Sequence, residues 1–408
     1  MKNDRPRSAP REITAGCPVS GRCGGCTYAG VPYTEQLEKK QEYAASLLGE
    51  LAKIEPILAM DDPLYYRNKV HHVMTRDKQG NILSGSYALG THRVIPTDSC
   101  LLEDVTCRRI MLTLRKLVKS FKITVYNETS GYGLLRHVLL RRGYYTGEVL
   151  VVLVVTSPVF PGKNNFAKAL RAEHPEVASV VLNINDRETS MVLGPRNITV
   201  YGPGFIKDRL MGLTFRISPS SFYQVNPVQA ESLYRTAIEF AELNGKEELL
   251  DAYCGTGTIG LAASKYVRHV TGIELNPDAV KDAVSNARAN HIENADFRTG
   301  DAGEYMKALA EETKAAQAAC GQQGKAGVQT PPDVLIMDPP RSGASEAFLS
   351  AVLRLLPEKI VYVSCDPETL KRDLLILTKK KYRVTRIRPV DMFPYTEELE
   401  CVACLVRC

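Results

Sequence analysis

Leu249-Leu250-Asp251-Ala252-Tyr253-Cys254-Gly255-Thr256-Gly257-Thr258-Ile259-Gly260 reads as an apolar strand, a glycine turn and the start of a helix. Glycines at such a turn let a ligand approach backbone N–H groups at a helix N-terminus. Gly255-x-Gly257-x-x-Gly260 also satisfies the dinucleotide fingerprint, a pattern that NAD, FAD and S-adenosylmethionine loops share. Asp251 shifts the balance. A carboxylate just before the glycines repels a pyrophosphate, whereas the sulfonium and amino groups of a methyl donor tolerate it. The next strand, His269 to Leu275, contains Glu274, placed where a carboxylate holds both ribose hydroxyls.

The pattern continues on both sides. A helix of about 16 residues is expected from Asn226-Pro227 onward, and the strands DVLIMD (333–338) and IVYVSC (360–365) alternate with helices. Such alternation predicts parallel βαβ construction, hence an α/β fold with a doubly wound, Rossmann-like sheet. Upstream, VHHVMT, GSYALG and HRVIP read as a meander. GLLRHVLLR and EVLVVLVVT form a hairpin about Gly143 to Gly147, with further strands at VASVVLNIN and SMVLG. Between Leu101 and Phe121, apolar residues at helical spacing leave Arg108, Arg115, Lys119 and Lys122 on the other face, a candidate phosphate contact. The expected organisation is a flexible tail over 1–16, an α+β, sheet-rich domain over 17–212 and the Rossmann-like domain over 213–408. The boundary falls between Gly202 and Asn226, with an exposed insertion near 315–332.

Composition sets the outer limits. With 408 residues, 44% apolar and 24% charged, the chain has core material for roughly two or three domains and is not disordered. The longest aliphatic run, Val149 to Val155, is short of a membrane span, and no signal segment opens the chain, so a cytoplasmic protein is expected. A net charge of +6 implies that a polyanion would be met by local patches. Eleven cysteines are too few for a disulfide scaffold. Cys17-x5-Cys23-x2-Cys26 puts three soft ligands within ten residues, and a fourth from elsewhere would close a zinc or iron–sulfur site.

Two more strands end in polar clusters, Asp338-Pro339-Pro340-Arg341 and Ser364-Cys365-Asp366-Pro367, at the side where doubly wound sheets place their sites. A methyl donor, a cysteine and a carboxylate together solve one problem, the poor nucleophilicity of pyrimidine C5. Thiolate addition at C6 activates C5, and a base later removes the C5 proton. Glu400, opening the last apolar strand CVACLV, is the leading base, with Glu398 as the neighbour that spacing does not exclude. Cys401 and Cys404 fall on opposite faces of that strand, and Cys254 reads as a packing residue. No partner is visible for Cys320.

These residues resemble the RNA uracil-5-methyltransferases, the 23S rRNA and tRNA enzymes that make 5-methyluridine, from Cys17 to Arg407. The resemblance rests on Ser221 to Pro227 (SFYQVNP), the DAYCGTGTIG loop, Asp338 to Gly343, Ser364 to Pro367, and Asp391 to Glu400. It implies an S-adenosylmethionine and uracil site lined by Gln224, Tyr253, Glu274 and Asp338, with Cys365 as nucleophile and Glu400 as proton acceptor. It implies a [4Fe–4S] cluster on Cys17, Cys23, Cys26 and Cys100, where spacing alone would let Cys107 compete with Cys100. In this family the final motif usually reads His-Val-Glu; here it is Glu398-Leu399-Glu400.

Only a short tail precedes Cys17, which resembles the rRNA-modifying branch that lacks the TRAM barrel, so 23S rRNA is the expected partner and tRNA the alternative. An RNA base must leave its stack to react. Arg67, Lys69, Arg136 and Arg141, near Tyr65, Tyr66, His71 and His72, are candidate contacts. No obligate protein partner and no membrane are expected, and the chain is read as a monomer. The competing classes are an NAD oxidoreductase and a catalytically silent RNA-binding iron–sulfur protein.

Overall fold

The computed structural model describes residues 17–187, 189, 191–319, 331–379 and 381–408. The chain forms two compact units. The first comprises residues up to Tyr33, Asp61–Arg209 and Phe215–Pro227; the second comprises Thr34–Met60, Leu210–Thr214 and Val228–Cys408. The expected tail over 1–16 and Cys320 lie outside the described residues, as does most of the insertion near 315–332.

In the first unit β1 (Lys69–Arg76), β2 (Ile82–Tyr87), β3 (Val94–Pro96), β4 (Leu135–Arg142), β5 (Val149–Val155), β6 (Val177–Ile184) and β7 (Arg196–Tyr201) make one mixed sheet in the order β3-β2-β1-β4-β5-β6-β7. All pairs are antiparallel except β5 with β6. The wholly buried β5 explains its unbroken aliphatic run. Helix Val105–Ser120 turns Ile110, Met111, Leu114, Leu117 and Val118 into the core. Asp104 caps it, accepting from the N–H groups of Thr106 (2.8 Å) and Cys107 (3.1 Å). Its basic face is partly engaged within the unit: Arg115 pairs with Asp98 at 2.9 Å, and Arg108 donates to the Cys100 carbonyl at 3.4 Å.

One expected strand is absent. Met191 to Gly194, the described part of SMVLG, is a loop whose backbone is taken up by side-chain amides. Asn185 Nδ2 donates to the Met191 (2.7 Å) and Val192 (3.1 Å) carbonyls, and Asn183 Oδ1 accepts from Gly194 N–H at 2.7 Å. The strand begins two residues later, at Arg196. Next, β8 (Ile206–Leu210) and β9 (Leu213–Ile217) form a separate two-stranded ribbon.

In the second unit β10 (Glu248–Ala252), β11 (His269–Glu274), β12 (Ala295–Thr299), β13 (Val334–Met337), β14 (Lys359–Ser364), β15 (Tyr382–Val390) and β16 (Glu400–Arg407) stand in the order β12-β11-β10-β13-β14-β16-β15. The first five are parallel; β16 runs antiparallel to both its neighbours. The α/β reading holds here, with helices between strands, including Pro227–Ala241 just where the sequence places one. Two edge strands escape the sequence reading because neither is an apolar run: β12 is ADFRT, and β15 alternates apolar residues with arginines. Arg386 and Arg388 on β15 both pair with Glu55 and Glu239.

The two units are not divided by a single cut between 212 and 213: Phe215–Pro227 groups with the first, and an early segment groups with the second. Residues 34–60 group with the second unit, because Ala44 and Leu48 of helix Tyr33–Leu48 sit in its core and Ile54 and Leu58 bridge to Ile387 and Val390 of β15. The same helix buries a charge. Lys40 Nζ meets Asp391 Oδ1 at 2.6 Å and the Phe393 carbonyl at 3.2 Å, with 1% and 0% of the two side chains exposed.

Lys40→Met leaves Asp391 buried without its counter-charge, an expected cost of about 3–5 kcal/mol. Lys39→Met, which removes the surface pair with Glu35, should cost less than about 1 kcal/mol. Chemical denaturation of both variants checks this, and equal losses would refute the buried pair's role.

Candidate active site

The register of the second sheet decides which side chains meet. Ala252 of β10 pairs with both Ile273 of β11 and Met337 of β13, Met337 pairs with Tyr362 of β14, and Ser364 pairs with Cys401 of β16. Tyr253 therefore follows β10, Asp338 follows β13 and Cys365 follows β14, all at the carboxyl edge, where Glu274 closes β11. Because β16 is reversed, its first residue, Glu400, arrives at that same edge beside Cys365. The sheet thus brings together five of the six expected catalytic and cofactor residues. Gln224 lies in the first unit, buried, three residues before helix Pro227–Ala241.

The glycine turn is built for close backbone approach. Tyr253, Gly255 and Gly257 all have positive φ, at 64°, 55° and 80°. A Cβ on Gly257 would stand 2.9 Å from the Phe297 ring, and one on Gly260 would stand 2.8 Å from Asp251 Oδ2. Asp251 is buried and accepts from the Gly260 N–H at 2.8 Å, so one of its oxygens fixes the loop from below. Its other oxygen, Oδ1, is buried without a hydrogen-bond partner. Burial, opposed by the Gly260 N–H and reinforced by Asp338 and Glu274, pushes the Asp251 carboxyl up to about 7. Glu274 accepts from Gly255 N–H (3.1 Å) and Asn276 N–H (2.7 Å), with lone pairs left for hydroxyl donors. A glycine cradle over converging carboxylates suits a cationic sulfonium donor and opposes a pyrophosphate.

At the other end of the rank, Cys365 is half-buried. Burial, then the negative charges of Glu400 and Asp338, push its thiol up to about 11, against the pull of Arg341. Burial, then Asp338 and Glu398, holds the Glu400 carboxyl well above the ordinary carboxylate range, and burial raises Asp338 as well. Two carboxyls this close in a dry site do not both ionise freely. Glu398, the neighbour that spacing does not exclude as base, is engaged elsewhere: Arg341 grips both its oxygens, at 3.1 and 3.0 Å, and stands 3.5 Å from Asp366. A carboxylate–guanidinium pair thus stands where the family's His-Val-Glu has an imidazole.

The supports of these groups are remote in sequence. Asp366 caps helix Pro367–Thr378. Buried Asp373 accepts from Ala344 N–H (2.8 Å), Tyr362 O–H (2.8 Å) and Arg372 Nε (2.8 Å), pinning the loop after Asp338. The segment leading to Glu400 is held by the Lys40–Asp391 pair, by Gln229 donating to the Asp391 carbonyl (2.9 Å), and by Gln36 accepting from Tyr395 N–H (2.9 Å). None of Gln36, Lys40, Gln229 and Asp373 is marked by a local motif; each is a polar residue on a helix, which reads as surface.

The remaining cysteines divide as follows. Cys401 joins the apolar core and Cys404 Sγ instead reaches the Phe240 carbonyl at 3.4 Å, as opposite faces require. Cys107 and Cys254 are buried. Cys17, Cys23, Cys26 and Cys100 are half-buried in the first unit. Burial pushes the Cys26 thiol up to about 11, Arg67 opposes the shift, and Cys17 and Cys23 add to it. Burial likewise pushes Cys100 up to about 11, with Glu103 and, more weakly, Cys26 contributing. The four thiols therefore share one neighbourhood. Among the described residues, no group of three or more His, Cys, Asp or Glu side chains is arranged to hold a single metal ion.

Of the basic candidates, buried Arg141 donates to the Ser221 carbonyl at 2.6 Å. His72 is enclosed by Glu103 (2.9 Å), Thr97 (3.0 Å) and Ser84 (3.2 Å), a structural role. Among the described residues no helix is long and apolar enough to cross a membrane.

Comparison with known proteins agrees with this geometry. The family described as tRNA (Uracil-5-)-methyltransferase matches residues 32–408. An uncharacterized RNA methyltransferase of Clostridium acetobutylicum is 37% identical over 398 residues, covering 96% of this chain and 83% of that protein. One from Staphylococcus aureus is 38% identical over 409 residues, covering 99% and 86%. Among solved structures, the Pyrococcus abyssi tRNA (uracil-54, C5)-methyltransferase in complex with S-adenosyl-L-homocysteine superimposes with a TM-score of 0.73 and 29% identity, covering 94% of this chain and 86% of that one.

With a thiol pushed to about 11, the thiolate fraction of Cys365 at pH 7 is about one in ten thousand. Its alkylation by iodoacetamide, followed peptide by peptide by mass spectrometry, should rise about tenfold per pH unit from 7 to 9. A rate that levels off near pH 7 would contradict the site's electrostatics. Gly257→Val should abolish binding of S-adenosylhomocysteine by calorimetry, since the new side chain enters the Phe297 ring.

Proposed function

The chain belongs to the tRNA (uracil-5-)-methyltransferase family, and from that premise we propose that it methylates C5 of a uridine in RNA, with Cys365 as nucleophile and Glu400 as proton acceptor. The observation that carries this reading is the adjacency of Cys365, at the end of β14, to Glu400, at the start of the reversed β16, in the same rank as the glycine turn. S-adenosylmethionine, for which the glycine turn, Gln224, Tyr253, Glu274 and Asp338 are the proposed binding residues, supplies an electrophilic methyl group.

The chain's own residues do the rest. Cys365 Sγ bonds to C6 of the flipped uracil as its proton passes to a neighbouring carboxylate. The C5–C6 π pair then moves onto the uracil O4 side, and C5 takes the methyl group. Glu400 removes the C5 proton, the C5–C6 double bond re-forms, and the thiolate leaves. Burial raises the basicity of Glu400, which suits a carboxylate that must take a proton from carbon.

We take 23S rRNA as the substrate, on the cysteine pattern that this chain shares with the rRNA-modifying branch. A tRNA T-loop uridine is the second reading, favoured by the similarity to the Pyrococcus abyssi tRNA enzyme. Cys17, Cys23, Cys26 and Cys100 are the proposed ligands of a [4Fe–4S] cluster. Four thiols and no other donor type would suit such a cluster. Methyl transfer changes no redox state, so the cluster's role is to shape the first unit.

RNA carrying 5-fluorouridine at the target should trap a covalent complex, because fluorine at C5 blocks the proton step. Cys365→Ala should lose the complex, and an adduct that survives would remove Cys365 from its role. Sequencing of 5-methyluridine sites in total RNA after loss of the gene separates the substrates. Loss from 23S rRNA is expected; loss from tRNA alone would establish the second reading.

A further inference from the structure

Away from the methyl-transfer site, the first unit contains a cavity of about 230 Å³ at one end of its sheet. Tyr87 and His92 come to it from β2 and the turn after it, Tyr126 and Glu128 from the loop before β4, and Arg136 and His137 from β4. Its chemistry is organised around a carboxylate. Glu128 Oε1 accepts from Tyr87 O–H at 2.6 Å and Oε2 meets His92 Nδ1 at 2.7 Å, which fixes the carboxylate but leaves each oxygen a lone pair. Two buried basic residues line the cavity too, each with one ring or guanidinium nitrogen left without a partner. Arg136 and His137 are 6% and 7% exposed, yet Arg136 Nε and His137 Nδ1 have no hydrogen-bond partner.

Such orphans are costly and call for an explanation. Arg136 is not there by accident of strand alternation. The β4–β5 ladder slips between Leu135 and His137, a bulge of the kind that re-aims a side chain. Its guanidinium lies over the Tyr126 ring at 4.7 Å and is tied back by the Asn185 (3.0 Å) and Arg187 (2.7 Å) carbonyls through Nη1 alone. Aromatic rings, a fixed carboxylate and a preset guanidinium are the parts with which proteins hold an unstacked base by its edges.

We propose that this cavity binds a guanine nucleotide of the RNA substrate, a second unstacked base distinct from the methylated uridine. Guanine is the base whose edges match: N1–H and N2–H donate to the Glu128 carboxylate, while O6 and N7 accept from Arg136. The inference rests on the RNA substrate of the proposed function and adds a specificity contact to it.

The test uses two surface substitutions, Glu128→Gln, which removes the charged acceptor, and Thr129→Trp, which fills the cavity mouth. The dissociation constant for target RNA should rise about tenfold in each, while affinity for S-adenosylhomocysteine stays at the wild-type value and reports an intact fold. Saturation-transfer NMR should give a signal for GMP, and none for AMP, with the wild-type protein, and Thr129→Trp should abolish it. Unchanged RNA affinity in both variants overturns the proposal. If GMP binding then persists in the wild type, the cavity is a free-nucleotide site instead. Absence of methyl transfer by the wild type would fail the proposed function, whereas the cavity is judged by RNA and GMP binding alone.

Discussion

The reversed direction of one strand governs the chemistry of this protein. In an all-parallel sheet, only the carboxyl ends of strands reach the ligand edge. Inserting β16 antiparallel between β14 and β15 delivers an amino-terminal residue, Glu400, to that edge and sets Cys401 opposite Ser364. The thiol that follows Ser364 and the carboxylate that precedes Cys401 are then neighbours by backbone geometry. In the proposed reaction, which needs a nucleophile and a base on one pyrimidine, both would come from this single strand pair.

That adjacency has an electrostatic consequence. Asp251, Glu274, Asp338 and Glu400 converge in a largely dry edge, and burial together with their mutual repulsion raises Asp251, Glu400 and the Cys365 thiol. Of these carboxyls, Glu400 and Asp338 favour the thiol form of Cys365 over the thiolate. On the proposed mechanism a cationic methyl donor bound at the glycine turn would relieve this repulsion. Arg341 is a cation that acts against the thiol's upward shift, and it is shared with Glu398 and Asp366.

Much of this was legible in the sequence because it is local. The glycine loop, the polar residues ending apolar strands, and the acidic residue opening CVACLV each announce themselves within about ten residues, and the strands of the second unit other than β12 and β15 follow apolar runs. What the sequence hid is non-local. Lys40 lies 351 residues from Asp391 and Gln36 lies 359 from Tyr395, so no window contains both partners, and a lysine in a helix reads as solvent-facing. The false strand at Met191 to Gly194 has the same origin: Asn183 and Asn185 satisfy its backbone from the side. Likewise, the slip that re-aims Arg136 is invisible until β4 and β5 are paired.

The division of labour between thiol and carboxylate is tested most directly with RNA tritiated at uracil C5. In Glu400→Gln, methyl transfer to the Cys365 adduct should proceed through one turnover while tritium stays on the RNA, so that methylated, tritiated RNA accumulates covalently bound. Tritium released to water in step with methyl incorporation in that variant would contradict the account, because another group would then be removing the C5 proton.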